Sequence, residues 1–227
     1  MTRRRRLLNR SVHAVHRWVD RVGEIVPGTD RADEFGSFGA GSAIGFPAAT
    51  LMGLESIHVG SNTLIGRHVT LSVGYGALWS TRPERGLVIG DHCVIGARSS
   101  LTAHASIELG DGVWCGQDVF VSDASHGYQD PGLPVGEQFG EHLPVSVGAG
   151  SWIGHGAIVL PGTRLGRNVV VAAGSVVRGV VDDHTVVAGV PARVVRRLEP
   201  GVGWVGPGGD VRPVTDQAAF WRAVSPD

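Results

Sequence analysis

Residues 147–177 read VGAGSWIGHGAIVLPGTRLGRNVVVAAGSVV, and an aliphatic side chain returns at every sixth position of this stretch. A helix would repeat its apolar residues at intervals of three and four, so this spacing excludes a helix. A fixed short period indicates a chain that forms one short strand, turns a corner and repeats. The residues that keep the period are Val147, Ile153, Val159, Leu165, Val171 and Val177.

The same period continues towards the N-terminus. It shifts by two residues before Leu109, which keeps inward side chains pointing inward, and we therefore expect a two-residue insertion at a corner. Glycine often follows a periodic residue directly. The fourth residue after a periodic residue is often small or β-branched, which indicates a narrow interior. The upstream periodic residues are Val59, Ile65, Leu71, Ile89, Ile95, Leu101, Ile107, Leu109, Cys115 and Val121.

This pattern predicts an all-β fold, a parallel β-solenoid in which each coil covers the apolar face of the next. An ordinary β-sandwich is the alternative fold, but sandwich strands do not hold a constant six-residue phase. The solenoid therefore explains the spacing, and the sandwich does not.

The composition restricts the function classes. The 227-residue chain has a formal net charge of −1, which gives no general attraction for nucleic acid, and we expect no such partner. The sequence contains no lysine, which excludes Schiff-base chemistry and a Walker-type phosphate lysine. Any phosphate must then be bound by arginine or by backbone amides.

The two cysteines, Cys93 and Cys115, fall at inward positions of the repeat and suit small buried hydrophobic residues. Neither a disulfide framework nor a metal motif is visible in the sequence. No stretch reaches the roughly 18 apolar residues of a membrane span, and the N-terminus has no uninterrupted apolar signal region. We therefore expect a cytoplasmic protein that requires no metal.

The two ends of the chain lie outside the repeat. Residues 2–26 carry apolar residues at helical spacing among many arginines, which predicts a basic amphipathic helix. This helix either packs over one end of the solenoid or against another subunit, or it makes a peripheral contact with an anionic membrane. Residues 199–227 form a short tail, with a predicted helix at 215–224, whose role is left open.

The period stops at Val121 and resumes at Val147, and the loop 122–143 between them begins SDASHGYQDPGLP. A long loop on a rigid scaffold is a common place for chemistry. Neutral imidazole is a base near pH 7, which makes His126 a candidate general base. A solvated loop histidine is the alternative interpretation, and His142 and His155 are rival bases.

The repeat resembles that of the hexapeptide-repeat acyltransferases, which are left-handed β-helices with three hexads per triangular coil. The resemblance covers about residues 35–198 and implies three segments: a helical segment 1–34, the β-helix 35–198 and the tail 199–227. The loop sequence around Ser125-His126-Gly127-Tyr128 is similar to the catalytic loop of sugar and lipopolysaccharide O-acetyltransferases. In those enzymes the matching histidine deprotonates the acceptor hydroxyl, which implies a catalytic role for His126. Asp123, Asp130 or a backbone carbonyl would orient its ring.

The stretches 151–177 and 188–196 are similar to the last coils of the maltose, galactoside and xenobiotic acetyltransferases. In those relatives acetyl-coenzyme A lies between neighbouring subunits of a trimer, which implies a homotrimer here. Gly179 replaces a usual lysine, and Arg98-Ser99-Ser100 replaces an acceptor-binding asparagine, so no acceptor residue is carried over. The coenzyme-binding residues that the resemblance implies are Trp152, Gly154, Ala173, Gly174, Arg178, Arg193 and Arg196.

The resemblance implies an acyltransferase that moves an acetyl or other short acyl group from acyl-coenzyme A to a hydroxyl of a sugar or glycoconjugate. A trimeric β-helix scaffold without catalytic activity is one alternative. A γ-type carbonic anhydrase is another, but it needs three zinc-binding histidines, and His58, His68, His92 and His104 lack that spacing.

Overall fold

A computed structural model describes residues 3–75 and 82–217 of the chain. Residues 37–75 and 82–189 wind into successive coils, and each complete coil places one strand in each of three parallel sheets. The strands of the first four coils are β1 (Ser37–Phe38), β2 (Ala43–Ile44), β3 (Thr50–Met52), β4 (Ile57–Val59), β5 (Leu64–Ile65), β6 (Thr70–Val73), β7 (Leu87–Ile89), β8 (Val94–Ile95), β9 (Ser100–Ala103), β10 (Ile107–Leu109), β11 (Trp114–Cys115) and β12 (Phe120–Ser122).

A hairpin and two further complete coils follow. The hairpin consists of β13 (Ala124–His126) and β14 (Phe139–His142), which pair antiparallel. The remaining coil strands are β15 (Val145–Val147), β16 (Trp152–Ile153), β17 (Ile158–Val159), β18 (Arg164–Leu165), β19 (Val170–Val171), β20 (Val176–Val177), β21 (Val180–Val181) and β22 (Thr185–Gly189).

The three sheets form the sides of a triangular rod. The first sheet contains β1, β4, β7, β10, β15, β18 and β21 in that order. The second begins with β2, β5, β8, β11, β16, β19 and β22, and the third contains β3, β6, β9, β12, β17 and β20. This topology confirms the predicted β-solenoid.

The periodic residues form the core. Each of the six aliphatic residues between Val147 and Val177 is less than 5% exposed. The small residues at the fourth position link neighbouring coils, since the Thr63 hydroxyl donates to the Gly90 carbonyl over 2.7 Å and accepts from the Cys93 amide at 3.0 Å. The narrow interior predicted from the sequence is therefore both apolar and hydrogen-bonded from coil to coil.

The predicted two-residue insertion lies at a corner, between β9 and β10. Leu101 and Leu109 are eight residues apart there, whereas Val159 and Leu165 span the corresponding corner with six. Leu109 still pairs with Ile89 in register, so the extra residues extend only the corner. The same corner, between the third and first sheets, also receives the insertions after β6 and β12.

The N-terminal helix α1 (Arg3–Gly23) is shorter than the predicted segment, and a one-turn helix α2 (Asp30–Asp33) follows it. Only the end of α1 meets the solenoid, where Asp20 forms an ion pair with Arg67 at 2.9 Å. Its apolar stripe is exposed, so the prediction that the helix packs over the solenoid end within one chain is wrong. In the described residues no helix combines the length and the apolar character that crossing a membrane requires.

The C-terminal segment is folded and extends the second sheet. Strands β23 (Ala192–Glu199), β24 (Gly203–Val205) and β25 (Val211–Arg212) add to β22 in antiparallel order. Parallel coils therefore give way to a meander before the predicted boundary at residue 198. Most of the helix predicted at 215–224 lies outside the described residues.

Candidate active site

Successive coils place three polar side chains at one corner of the rod. Tyr75 follows β6, His104 follows β9 and Asp123 follows β12, and these strands are neighbours in the third sheet. The carboxyl ends of parallel strands lie at one edge, so the side chains meet there although 48 residues separate Tyr75 from Asp123. The stacking of the coils thus brings together three residues that are far apart in the sequence.

The predicted loop 122–143 is an antiparallel arm, with β13 and β14 as its sides and a one-turn 3-10 helix (Val135–Glu137) near its tip. The Gln138 side chain fastens the tip by donating to the carbonyls of Asp130 at 2.8 Å and Leu133 at 3.0 Å. Its oxygen also accepts from the Asp130 amide at 3.0 Å. Hydrogen bonds of the Gln138 side chain therefore stabilise the tip of the arm.

His126 lies at the end of β13 with its ring exposed. Its Nδ1 atom is 3.4 Å from the carbonyl oxygen of Gln138. Because a carbonyl can only accept, a hydrogen bond at this contact requires the proton on Nδ1 and leaves Nε2 of the neutral ring as a lone-pair acceptor. A backbone carbonyl thus orients His126, one of the alternatives that the sequence left open, and Asp130 instead accepts from the Gly132 amide at 2.8 Å.

Asp123 is fully buried and contacts a different histidine. Its carboxylate accepts from the His104 amide at 2.8 and 3.0 Å and from the Ala105 amide at 2.7 Å. Its Oδ1 atom lies 3.6 Å from His104 Nδ1. Asp123 was predicted as a catalytic partner of His126. Its hydrogen bonds instead stabilise the corner that contains His104.

The His104 ring is 13% exposed and lies among aromatic rings. Its centroid is 4.2 Å from that of Tyr75 and 5.2 Å from that of His142, and His142 Nε2 bonds the Tyr75 hydroxyl. Burial lowers the pKa of His104, with Asp123 opposing and His142 adding to the effect. Burial also raises the pKa of Tyr75, and Asp123 adds to that shift. His104 is therefore held neutral at pH 7.

The two histidines His104 and His126 line one cleft of about 250 Å³ between the arm and the corner. Tyr75 and Phe139 supply aromatic walls, their rings edge to face at 6.1 Å. The exposed Ser125 adds a hydroxyl group that can bond a polar ligand, whereas the buried Ser122 hydroxyl bonds the backbone of Ala124. A neutral imidazole with a free nitrogen beside this largely apolar cleft can take a proton from a bound hydroxyl.

Trp152 lies on another side of the rod. It pairs in register with Trp114 on the second sheet, and the two side chains are 51% and 57% exposed. The cleft lies at the corner where the third and first sheets meet, which is opposite the second sheet in a triangular coil. Within one chain, Trp152 and His126 therefore occupy opposite sides.

The other residues implied for coenzyme binding are dispersed. Ala173 and Gly174 are exposed at the corner that follows β19, while Arg178 is exposed at the corner that follows β20. Gly154 has a packing role, because an added Cβ would lie 2.5 Å from the backbone nitrogen of Ala173. Their role in binding coenzyme A stays a prediction.

The two candidate arginines on β23 differ in availability. The Arg193 side chain is exposed and donates only to the adjacent Ala192 carbonyl, at 3.0 Å. Arg196 is 18% exposed and pairs with Asp210, whose pKa is lowered by that hydrogen bond. A phosphate would therefore compete with Asp210 for Arg196, whereas Arg193 is accessible.

The rival bases have different surroundings. His142 belongs to the cluster behind the cleft, and His155 lies at another corner, 3.7 Å from Asp118. Across residues 3–75 and 82–217, no three histidine, cysteine or acidic side chains come together as a metal-binding group. The carbonic anhydrase alternative thus lacks a ligand set in the described part of the chain.

Tyr75 and His104 were missed as site residues. The sequence did contain a signal, because the two-residue phase shift falls in the corner that includes His104. Aligning the coils would also have placed Asp123, Ala103 and Val73 at one inward position, which makes a carboxylate there conspicuous.

Comparison with known proteins gives two matches to hexapeptide families. Residues 144–179 match the bacterial transferase hexapeptide repeat, and residues 86–120 match the hexapeptide repeat of succinyl-transferase. Both segments lie within the coils of the solenoid, so the sequence match and the fold agree.

Among curated proteins, the chain is similar to a probable acetyltransferase of Mycobacterium tuberculosis, with 31% identity over 63% of this chain and 43% of that protein. It is also similar to a putative lipopolysaccharide biosynthesis O-acetyl transferase of Escherichia coli, with 36% identity over 40% of this chain and 50% of the relative. The galactoside O-acetyltransferase of Escherichia coli is 32% identical over 41% of this chain and 45% of its own length. The chain thus spans about half the length of these relatives.

A solved structure of an N-acyltransferase from Bacillus cereus, in complex with dTDP and coenzyme A, has a similar fold. The TM-score is 0.62 at 21% identity, and the alignment covers 76% of this chain and 90% of that one. At that identity the likeness concerns the β-helix alone.

Proposed function

We propose that this chain is a hexapeptide-repeat transferase and that it transfers an acetyl or other short acyl group from acyl-coenzyme A to a hydroxyl of a sugar or glycoconjugate. The observation that carries the proposal is the orientation of His126. Its Nδ1 atom lies 3.4 Å from the Gln138 carbonyl oxygen, and donation to that oxygen leaves Nε2 to act as a base beside the cleft that also contains His104 and Ser125.

In the proposed reaction the acceptor hydroxyl lies in the cleft and gives its proton to Nε2 of His126. The acceptor oxygen attacks the thioester carbonyl carbon, the carbon–sulfur bond breaks, and the coenzyme thiolate leaves and takes a proton. Backbone amides at a coil corner are suited to stabilise the oxyanion. Cys93 and Cys115 are buried, and burial raises the pKa of Cys115 to about 12, which argues against a cysteine-bound acyl intermediate.

The proposal requires more than one subunit. Trp152 and the cleft occupy opposite sides of the rod, so a site containing both needs Trp152 from a neighbouring chain. The outward face of the second sheet is apolar around it, with Leu64, Val94 and Trp114 in one register row. Three copies arranged face to corner around an axis would give three equivalent sites, which agrees with the predicted homotrimer.

The proposal places the protein in the cytoplasm, where two unpaired cysteines are kept reduced. It includes a peripheral contact between α1 and a membrane, which would bring the cleft near glycoconjugates at that surface.

A screen of acyl-coenzyme A donors against sugar acceptors, read by mass spectrometry, tests the activity. We expect a mass gain on an acceptor, and we expect His126→Ala to lose about 10²–10⁴ in turnover while it still binds coenzyme A. His155→Ala, at another corner, is the matched control and should keep its activity. Coenzyme A binding without turnover on any acceptor would support a non-catalytic scaffold instead.

A further inference from the structure

One exposed face of the N-terminal helix α1 is strongly apolar and is interrupted by Ser11. Seven large side chains on this face are between 38% and 65% exposed. With about 100° between successive residues, they fall within an arc of roughly 140°. We call this face the apolar stripe, and it consists of Leu7, Leu8, Val12, Val15, Trp18, Val19 and Val22.

The rest of the helix surface is basic. Seven arginines against one aspartate give the segment Arg3–Gly23 a formal charge of +6, whereas the whole chain carries −1. At helical spacing Arg10, Arg17 and Arg21 fall along one edge of the apolar stripe, next to Leu7 and Trp18. Seven of the 20 arginines of the chain thus lie on the helix that carries this exposed apolar row.

The single acidic residue of α1 does not oppose this charge. Asp20 lies 2.9 Å from Arg67 on the solenoid and 2.9 Å from His16. The ion pair with Arg67 neutralises the carboxylate and fixes the end of the helix to the coils. The remaining length of the helix projects from the solenoid with the apolar stripe uncovered.

We infer that α1 lies in the surface of an anionic lipid bilayer, with the apolar stripe in the acyl-chain boundary and the arginines among the headgroups. This arrangement suits an amphipathic helix with a high positive charge on its polar face. Trp18 beside the arginine edge matches the preference of tryptophan for the membrane–water interface. The phosphates of nucleic acid would neutralise the arginines, but the apolar stripe would stay exposed to water.

This inference specifies the membrane contact included in the proposed function, but its test is separate from acyl transfer. The full-length protein is mixed with phosphatidylcholine vesicles that contain or lack phosphatidylglycerol, and the bound fraction is measured by sedimentation. We expect binding to be at least about tenfold stronger with the anionic lipid and to weaken at high salt.

Two variants separate the apolar and electrostatic contributions. Val15→Asp/Trp18→Asp should abolish binding, and Arg10→Glu/Arg17→Glu should remove the preference for anionic lipid. The matched controls are Val202→Asp, at an apolar side chain that is 54% exposed on the C-terminal meander, and Arg85→Glu, at an exposed arginine on the solenoid. Both should bind vesicles like the unmodified protein, and circular dichroism checks that every variant is folded.

Three outcomes would overturn the inference. The first is equal binding to neutral and anionic vesicles, and the second is unchanged binding by the Val15/Trp18 variant. The third is a fall in oligomer mass in that variant, which would assign the apolar stripe to a second copy of the chain. Turnover of a soluble sugar acceptor is measured in parallel. The helix variants should keep this turnover, so the measurement distinguishes loss of membrane docking from loss of catalysis.

Discussion

The carboxylate of Asp123 binds the backbone of His104 and not the ring of His126. It accepts from the amides of His104 and Ala105 and lies 3.6 Å from His104 Nδ1. Because the two residues follow adjacent strands of the third sheet, this contact joins two coils beneath the cleft. Asp123 therefore fixes the corner from which His104 faces the proposed acceptor.

Replacing Asp123 should reduce stability before it affects chemistry. Asp123→Ala leaves buried amide groups without an acceptor, which should lower the free energy of unfolding by about 1–3 kcal/mol. Asp123→Asn keeps one carbonyl oxygen and should lose less. Urea denaturation measures both values. A large fall in turnover with unchanged stability in both variants would instead place Asp123 in the reaction.

The stability of the protein should decrease as the medium becomes acidic, partly because of His104. Burial lowers the pKa of the folded-state imidazole below 6.5, while the unfolded chain takes up a proton near that value. Below pH 6.5 the unfolded state therefore binds more protons, and the free energy of unfolding falls.

The variant His104→Gln removes this titration and should show a smaller decrease in stability between about pH 7 and about pH 5. Denaturant midpoints at several pH values provide the measurement. His13→Gln, at an exposed position of α1, should keep the original pH dependence. An identical pH dependence in the His104 variant would show that its imidazole is not held neutral by the fold.

Stacking of the coils should make Gly154 intolerant of a side chain. A Cβ there would approach the backbone nitrogen of Ala173 to 2.5 Å, and a backbone atom cannot move aside without displacing its coil. Gly154→Ala should therefore cost about 1–3 kcal/mol in free energy of unfolding. Gly208→Ala, where nothing lies within 4 Å, is the control and should be nearly neutral. Equal stabilities would contradict the tight packing between coils.

The fold was predictable because one simple rule applies at every coil. An inward side chain at each sixth residue fixes the strands, and buried residues such as Ile153 and Val171 follow directly. The helix α1 was predicted as an element, but its packing over the solenoid end, one of the expected alternatives, was wrong, because an apolar stripe does not identify what covers it. The C-terminal meander has no six-residue period and so gave no comparable signal.

The site was only partly predictable. His126 stood out because it lies in the long insertion, and its contact with the Gln138 carbonyl depends on the hairpin register, which the sequence did not reveal. Tyr75 and His104 come from other coils and meet Asp123 only through stacking. Short sequence motifs therefore identified the arm that carries His126. The positions of Tyr75 and His104 behind the cleft depend on how the corners stack in three dimensions.

The central claim is that His126 of one chain acts on a thioester held near Trp152 of another, and a mixing experiment tests it most directly. His126→Ala and Trp152→Ala proteins should each be impaired when assayed alone. When the two are unfolded and refolded together in equal amounts, random assembly of a trimer should restore about a quarter of the native sites. Turnover that rises to about that level would support the shared site. Mixed oligomers, demonstrated by mass, that remain as inactive as either variant alone would contradict it.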